Sequence, residues 1–451
     1  MASLFNALSH LIRKSFKRIP TEAEWADFRK HARRMRNLDI PDGSSFVTPD
    51  TLLALQLRTV DEPFLPGLET FTCGELAEAF IPFIPLFLSP KTTGIKISFA
   101  EGSPAVAVAC TISRLPKMCP KVEFIDLQGL GRDSVITDAA SEMLLACNRD
   151  CLQSFYVDTP LTEEARKALC QLPKLSVLWA VVQGRTILPP VALPSLVAIY
   201  LEFEDCLNWL QGFRGATLEN LEFVCFRSES RQIGDLLREF ENVARKASAQ
   251  NTLTTFKFKT SRSWNPNYSA LLSFKQLTDL DIEFSCRGGC SSIADDGIVS
   301  TLAQAMPKLE TLKLGGGPCA TVTGATVNGL IDLASRCPDL FELRIHFQAG
   351  TLVDAATSAV TTPSPDDDPD VQLEGCALTE LEVGRIPIPA GSASTVALTL
   401  LGIFPRMLDV KYVNPEWRKV AEAVKKFRNV RALVHRRGKA CCQTQLRACP
   451  Y

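Results

Sequence analysis

The stretch MPKLETLKLGGG, residues Met306 to Gly317, places three leucines in an L-x-x-L-x-L pattern directly after a proline. Side chains alternate along a strand, so Leu312 and Leu314 would face one side of a sheet and Lys313 the other. The segment therefore predicts a short strand with one buried side. What it means for the fold depends on whether the pattern occurs once or many times.

The pattern apolar-x-x-apolar-x-apolar recurs along the whole chain at irregular spacings of 21 to 38 residues. Its fourteen copies begin at residues 35, 68, 92, 122, 152, 175, 196, 218, 253, 277, 309, 340, 378 and 407. Each copy predicts one strand, and the copy at residue 92 is weak. The opening stretch is therefore one copy of a repeat.

Proline lies two residues before the start of eight copies, where about one would be expected by chance. These residues are Pro66, Pro90, Pro120, Pro173, Pro194, Pro307, Pro338 and Pro405. Proline cannot continue a helix, and it favours an extended conformation in the residue before it. The prolines therefore mark a recurrent change from helix to strand.

Amphipathic segments lie between the predicted strands. Asp296 precedes Ile298 and Leu302 as an N-cap would, and residues 327–334 repeat the helical spacing. Strand–helix units of 20–30 residues stacked in parallel form a leucine-rich-repeat-like solenoid. We therefore predict an α/β fold, an irregular leucine-rich-repeat-like solenoid of parallel strands and helices with a helical N-terminal segment and a C-terminal cap helix. A globular α/β domain is the alternative.

Five segments follow from this interpretation. Residues 1–34 form a helical N-terminal segment, and residues 35–413 form the solenoid. Within the solenoid, residues 361–370 (TTPSPDDDPD) have no periodicity and are expected to be a disordered acidic loop. Residues 414–428 are expected to form a cap helix opened by Asn and Pro, and 429–451 a basic, cysteine-rich tail.

The first twenty residues carry four basic and no acidic side chains. That composition is typical of a mitochondrial transit peptide and equally of an amphipathic first helix. The helix is favoured, because a charged helical pattern continues directly into Trp25 and Phe28.

Charge and hydropathy exclude several classes of partner. A formal net charge of -1 argues against chain-wide attraction to nucleic acid or anionic lipid. No apolar run approaches the roughly 18 residues of a membrane-spanning helix. Sixteen cysteines in mostly apolar contexts, without a secretory leader, indicate reduced thiols in the cytoplasm or nucleus. We expect neither nucleic acid nor membrane as partner.

Motifs for catalysis, metal binding or cofactor binding are missing from the sequence. The four histidines are scattered, and His346 alternates with Ile345 and Phe347 as a surface residue of a strand would. The glycine-rich stretch after Leu314 has neither the Gly-Lys-Ser/Thr of a phosphate loop nor an acid at dinucleotide spacing. We therefore expect a protein that is not an enzyme, with no cofactor and no metal.

Binding residues are predicted on the solvent side of the strands. The position between the last two apolar residues of each repeat faces away from the core. Three consecutive repeats place aromatic rings there, Tyr156, Trp179 and Tyr200, which we expect to form a row outside the core. The flanking acids are Asp126, Asp158, Glu202, Glu204 and Glu222.

This aromatic row with its acids predicts a site for a protein partner that carries basic residues around an apolar centre. In later repeats Lys313, Arg344 and His346 make the same face more basic. The alternative is that the rings only cover neighbouring side-chain stems on the sheet.

The order of these pieces resembles the substrate-binding part of the F-box proteins of mushroom-group fungi. The resemblance lies in EAEWADFRKHARRMRNLDI near the start, in the recurrent FP/CP-x-L-x-x-L-x-L units, and in FPRMLDVKYV followed by WRKVAEAVKKF. It covers roughly residues 4 to 430. It implies a protein that binds a substrate on its repeats and delivers it to a cullin–RING ubiquitin ligase.

One part of that family pattern is missing from the sequence. Family members open with an F-box, a helical module of about 40–50 residues, whereas LFNALSHLIRK here is similar to the helix that follows it. We therefore expect a partner or substrate on the sheet face and no binding of the Skp-type adaptor by this chain. A complete F-box receptor and a purely structural scaffold are the alternatives.

Overall fold

The computed structural model describes most of the chain between residues 21 and 430. The described ranges are 21–40, 49–58, 63–76, 78–182, 195–203, 218–225, 251–260, 268–284, 294–315, 324–361, 376–383 and 386–430. The chain divides into two compact units, Met1–Leu218 and Glu219–Tyr451.

In the first unit, the described residues contain seven parallel strands whose order in the sheet is their order in the chain. These strands are β1 (Asn37–Ile40), β2 (Thr70–Leu76), β3 (Gly94–Phe99), β4 (Phe124–Gln128), β5 (Ser154–Pro160), β6 (Val177–Val182) and β7 (Ala198–Phe203). A sheet built in this order has each repeat adding one strand beside the previous one.

The second unit repeats this arrangement, again with seven parallel strands in chain order among its described residues. They are β8 (Asn220–Cys225), β9 (Thr255–Thr260), β10 (Asp279–Phe284), β11 (Thr311–Leu314), β12 (Glu342–Arg344), β13 (Glu380–Val383) and β14 (Asp409–Tyr412). The opening stretch of the sequence analysis contains β11.

Every predicted copy of the pattern contains a strand that begins two residues after the predicted start, including the weak copy at residue 92. The predicted α/β leucine-rich-repeat-like solenoid of parallel strands is thereby confirmed. Leu309, Leu312 and Leu314 show why the pattern works, since all three side chains are buried. Most repeats contribute three such apolar side chains to a core that only their neighbours can complete.

Backbone hydrogen bonds hold the strands in register. At the entry to β5, the N–H groups of Gln153 and Ser154 both donate to the carbonyl of Glu123, at 2.8 and 2.9 Å. The N–H groups of Ser176 and Val177 donate in the same way to the carbonyl of Gln153. Because two N–H groups share one acceptor, a strand has little freedom to slide along its neighbour. The outward-pointing side chains of neighbouring strands therefore form continuous rows.

The described helices of the first unit lie before β1 and between successive strands. They are α1 (Glu22–Ala32), α2 (Pro49–Arg58), α3 (Ile84–Phe87) after a 3-10 turn at Glu78–Phe83, α4 (Ala105–Ile112), α5 (Leu115–Met118), α6 (Ser134–Ala146) and α7 (Glu163–Leu169). Asp133 and Thr162 cap α6 and α7 with side-chain oxygens that accept from the first turn.

The second unit has a 3-10 turn at Tyr268–Leu271 and the helices α8 (Asp296–Ala305), α9 (Val327–Arg336), α10 (Ala349–Thr361), α11 (Ala393–Ile403) and α12 (residues 416–430). Thr361, the first residue of the expected acidic loop, is the last residue of α10. Residues 362–370 of that loop lie outside the described residues, as do residues 1–20 and 431–451.

The N-cap of α8 is Asp295, whose Oδ1 accepts from the N–H of Ile298 at 2.9 Å, and the prediction of Asp296 was wrong by one residue. Asp296 instead reaches the next repeat, where its Oδ1 accepts from the N–H groups of Thr326 at 2.6 Å and Gly329 at 3.2 Å. Two adjacent aspartates thus cap two successive helices. Sequence spacing could not predict this, because it does not show which repeat a side chain contacts.

The helix α12 packs the indole of Trp417 into the core of the second unit. The Trp417 side chain is fully buried, its Nε1–H donates to the carbonyl of Ile386 at 2.8 Å, and its ring meets Phe347 edge-on. Asn414 accepts from the N–H of Glu416 at the start of the helix. Through the buried Trp417 side chain, α12 covers the core of the last repeats.

Several cysteines lie in the turns between helix and strand. Burial raises the pKa of the Cys119, Cys147 and Cys337 thiols to about 12. The Cys337 Sγ lies 3.7 Å from the carbonyl of Met306 in the preceding repeat. These thiols serve as small buried side chains rather than as nucleophiles.

Candidate functional site

The last three strands of the first unit, β5, β6 and β7, carry the three aromatic residues in one row. Strand pairing sets Asp126 beside Tyr156, Tyr156 beside Trp179, and Trp179 beside Tyr200. Their neighbours along each strand, such as Phe155, Leu178 and Ile199, are buried in the core, so the row lies on the opposite side of the sheet.

The three rings stack on one another. The ring centroids of Tyr156 and Trp179 lie 4.4 Å apart, and those of Trp179 and Tyr200 lie 5.2 Å apart with an interplanar angle of 16°. Both faces of the Trp179 indole are therefore covered by tyrosines, and all three side chains are only half-buried. We call Tyr156, Trp179 and Tyr200 the aromatic row.

The indole nitrogen of Trp179 is a further feature of the row. Its Nε1 is buried and has no hydrogen-bond partner among the residues that the structure describes. A buried donor without an acceptor costs about 1–3 kcal/mol. Trp179 therefore keeps its place between the two tyrosines in spite of the free-energy cost of this unpaired N–H group.

A second row, which the sequence analysis missed, lies two residues earlier on the same strands. It pairs Phe124 with Ser154, Ser154 with Val177, and Val177 with Ala198. Phe124 is 39% exposed. Residues i and i+2 of a strand share a face, so this row could have been predicted from the positions of the strands alone. The apolar area beside the aromatic row is larger than predicted.

Asp126 is on the predicted side of the sheet but is only 5% exposed. The Lys96 ammonium lies 3.1 Å from its Oδ2, and the Gln128 amide donates to both carboxylate oxygens at 3.0 and 3.2 Å. The negative charge is therefore neutralised within the chain. Lys96 belongs to the weak copy at residue 92, which the analysis of the outward positions did not include.

Asp158 has a different environment. Its Oδ2 accepts from the N–H of Gly129 at 2.6 Å, and its Oδ1 from the N–H of Leu130 at 3.0 Å. Burial raises the pKa of this carboxyl and the negative Asp126 adds to the rise, although the two backbone donors oppose it. The carboxylate holds the turn after β4.

The remaining predicted acids are Glu202, Glu204 and Glu222. Glu202 on β7 is paired with the guanidinium of Arg132. Glu204 lies outside the described residues. Glu222 is on β8, in the second unit, where it pairs in register with Lys257. The described part of the first unit therefore holds the aromatic row with Asp126, Asp158 and Glu202.

The solvent side of the second unit's sheet is charged rather than aromatic. Central positions on neighbouring strands are Lys257, Asp281, Lys313, Arg344, Glu382 and Lys411. The ion pairs on this side are Lys257–Asp279, Lys259–Glu283, Lys313–Glu342, Arg344–Asp281, Arg344–Glu382 and Lys411–Glu380. The prediction of a more basic face was wrong, because each of these cations lies against a carboxylate on a neighbouring strand.

His346 is buried at 8% exposure, which contradicts the predicted surface histidine. Strand β12 ends at Arg344, and the isolated bridge between Ala325 and Phe347 follows, so the alternation of the strand no longer applies. A Cβ at Gly315 would lie 3.1 Å from the imidazole. Burial lowers the pKa of His346, and the positive Arg344 lowers it further.

In the described ranges, no group of three or more His, Cys, Asp or Glu side chains is arranged to hold a metal ion. None of the helices in that part of the chain is long and apolar enough to cross a membrane.

Comparison with known proteins gives matches among solved structures. No protein-family model matches the chain, and no curated protein matches its sequence. Among solved structures, the chain is similar to an internalin (inlF) from Listeria monocytogenes, with a TM-score of 0.41 and 13% sequence identity over 92% of this chain and 94% of that chain.

Proposed function

We propose that the chain is a non-enzymatic binding protein whose aromatic row receives a protein partner. The observation that supports this proposal is the stack of three half-buried rings on the solvent side of the first unit's sheet. Trp and Tyr are the residue types most enriched where truncation costs an interface 2 kcal/mol or more. The paired charges of the second unit offer no comparable anchor.

Phe124 and Val177 extend the same surface, so a partner would meet apolar area around the rings before it reached the acids at the edge. This is the usual arrangement of an interface, with an apolar centre and a polar rim. The proposal includes a cytoplasmic or nuclear location, where the free cysteines of the described residues would stay reduced.

The test is a quantitative affinity purification of the tagged full chain and of two matched variants. Trp179→Ala removes a ring from the aromatic row, and Tyr412→Ala removes an exposed ring from β14 in the second unit. We expect recovery of at least one partner to fall tenfold or more with Trp179→Ala and to be unchanged with Tyr412→Ala. If every partner survives combined alanine substitution at Tyr156, Trp179 and Tyr200, the row is a structural feature and the chain is a scaffold or binds elsewhere.

We further propose that this binding surface is the substrate-recognition part of an F-box-type protein. The order of the motifs near residues 22–40, in the repeats and in residues 404–427 supports the proposal. The second candidate is a complete receptor of a cullin–RING ubiquitin ligase whose F-box is missing from this sequence. For both candidates we expect no binding of a Skp-type adaptor in a pull-down until an F-box is fused before Met1, and stoichiometric binding by residues 1–451 would overturn that expectation. The genomic reading frame upstream of Met1 separates the two candidates.

A further inference from the structure

The carboxylates around the aromatic row are not equivalent. Asp126 faces the ammonium of Lys96, and Glu202 faces the guanidinium of Arg132. Asp158 accepts hydrogen bonds from two backbone N–H groups and, within the described ranges, forms an ion pair with no cation. Backbone donors orient a carboxylate without cancelling its charge. Asp158 therefore carries the uncompensated negative charge beside the row.

The Trp179 ring at the middle of the row is a poor receptor for a cation. A cation binds an aromatic side chain over the face of the ring, where the quadrupole is negative. In the aromatic row, Tyr156 and Tyr200 cover both faces of the indole, so Trp179 offers a partner its edge. Ring edges are positive and suit apolar groups rather than ammonium or guanidinium groups.

Asp158 and Tyr156 lie on the same side of the same strand, two residues apart, a separation of about 7 Å along β5. That is within the span of one extended lysine or arginine side chain. The stem of such a side chain would cross the edge of the row and its charged end would meet the carboxylate, as long basic side chains commonly do.

We propose that the partner presents a polypeptide segment with a lysine or arginine next to apolar residues, that its cation pairs with Asp158, and that its apolar residues cover the aromatic row. This inference rests on the proposed function and adds the chemistry of the partner. It also excludes an acidic segment, which would bring like charge against a carboxylate that has no counter-ion.

A selection from a library of random twelve-residue peptides displayed on phage tests the inference on the full chain. Wild type should enrich a family of peptides with one lysine or arginine beside apolar residues. Asp158→Asn should enrich apolar peptides without the basic position, and Trp179→Ala should lose the family. Asp138 is an exposed acid on α6, on the helix side of the unit. Asp138→Asn makes the same change of charge there and should enrich the same peptide family as wild type.

Since Asp158 also holds the turn after β4, a second measurement uses wild type alone. An arginine peptide from the selection is compared with the same peptide carrying citrulline, which keeps the shape and removes the charge. We expect at least tenfold weaker binding of the citrulline peptide, and no such difference for Asp158→Asn if it folds.

The outcomes separate the two proposals. Equal binding of the arginine and citrulline peptides by wild type, or an unchanged basic position after selection on Asp158→Asn, overturns the inference and leaves the binding surface in place. A peptide family that Trp179→Ala retains, or a wild-type selection without any enriched family, overturns the proposed function and the inference with it.

Discussion

The backbone N–H of Gly129 lies 2.6 Å from Oδ2 of Asp158, so the turn that leaves β4 is held by a side chain on β5. Gly129 has a φ of 74°, a conformation that glycine adopts without strain. The carboxylate that we propose as the receptor of a partner's cation is therefore also part of the first unit's framework. Its position does not depend on the partner.

Replacing Gly129 with alanine should destabilise the first unit strongly. A Cβ at this position would lie 2.0 Å from the carbonyl oxygen of Phe99, and the positive φ adds strain for any residue with a side chain. We expect the free energy of unfolding to fall by about 3 kcal/mol or more in urea titrations. Gly102→Ala is the control, since its φ is 82° and a Cβ there meets nothing within 4 Å. Its cost should be about 1–2 kcal/mol, and equal losses for the two variants would show that the contact with Phe99 is unimportant.

Truncating Trp179 should cost stability as well as binding. The sequence predicted a ring outside the core, whereas the indole is half-buried between two tyrosines. We expect Trp179→Ala to lower the free energy of unfolding by about 1–3 kcal/mol. Trp179→Phe should stay within about 0.5 kcal/mol of wild type, because it keeps the stack and removes the unpaired Nε1–H. A thermal midpoint of Trp179→Ala equal to that of wild type would contradict a structural role for the row.

The stability of the second unit should decrease as the pH falls below neutrality. Burial, and then Arg344, hold the pKa of His346 below its ordinary value of 6.5. Between that lowered pKa and 6.5 the unfolded chain binds a proton that the folded chain does not, so stability rises with pH across this window and is lost as the pH falls through it.

The corresponding experiment compares unfolding free energies at pH 7.5 and at pH values below 6.5. We expect His346→Gln to flatten the dependence in this window and His31→Gln, which removes an exposed histidine on α1, to leave it unchanged. Parallel curves for wild type and His346→Gln would show that another group is responsible.

The buried thiols should resist alkylation in the folded protein. The pKa of about 12 for Cys119, Cys147 and Cys337, against an ordinary 9.0, lowers the thiolate fraction roughly a thousandfold. Cys110 is exposed and serves as the internal reference. Peptide mapping after brief treatment with iodoacetamide should find Cys110 modified first, and the three buried thiols only after denaturant is added. Early modification of Cys119 would indicate that its repeat opens readily.

Sequence reasoning located the strands well because each strand is specified locally. Three apolar side chains and a preceding proline determine where β11 starts, and no distant residue is needed. The charges on the face were harder to predict. The ion pair between Lys96 and Asp126 joins residues thirty apart, and its formation depends on a register that the sequence does not state.

The alternation of side chains along a strand was also applied to a residue beyond the end of the strand. His346 was expected at the surface because it follows Arg344 by two residues, but β12 has already ended there. Period-two arguments hold only while the chain remains a strand. Phe124 was missed for the opposite reason, since the outward positions considered were the central one of each strand and those after it, and Phe124 lies two residues before the central Asp126.

The distances in sequence between neighbours on the face differ, with 30 residues from Asp126 to Tyr156, 23 from Tyr156 to Trp179 and 21 from Trp179 to Tyr200. The order of these side chains on the sheet is nevertheless set by strand pairing alone. Insertions and deletions in the connections can therefore accumulate without rearranging the face, while a single substitution at a strand centre changes what the face recognises. New specificities can arise here by point mutation at a few positions, and an engineer could alter them one strand at a time.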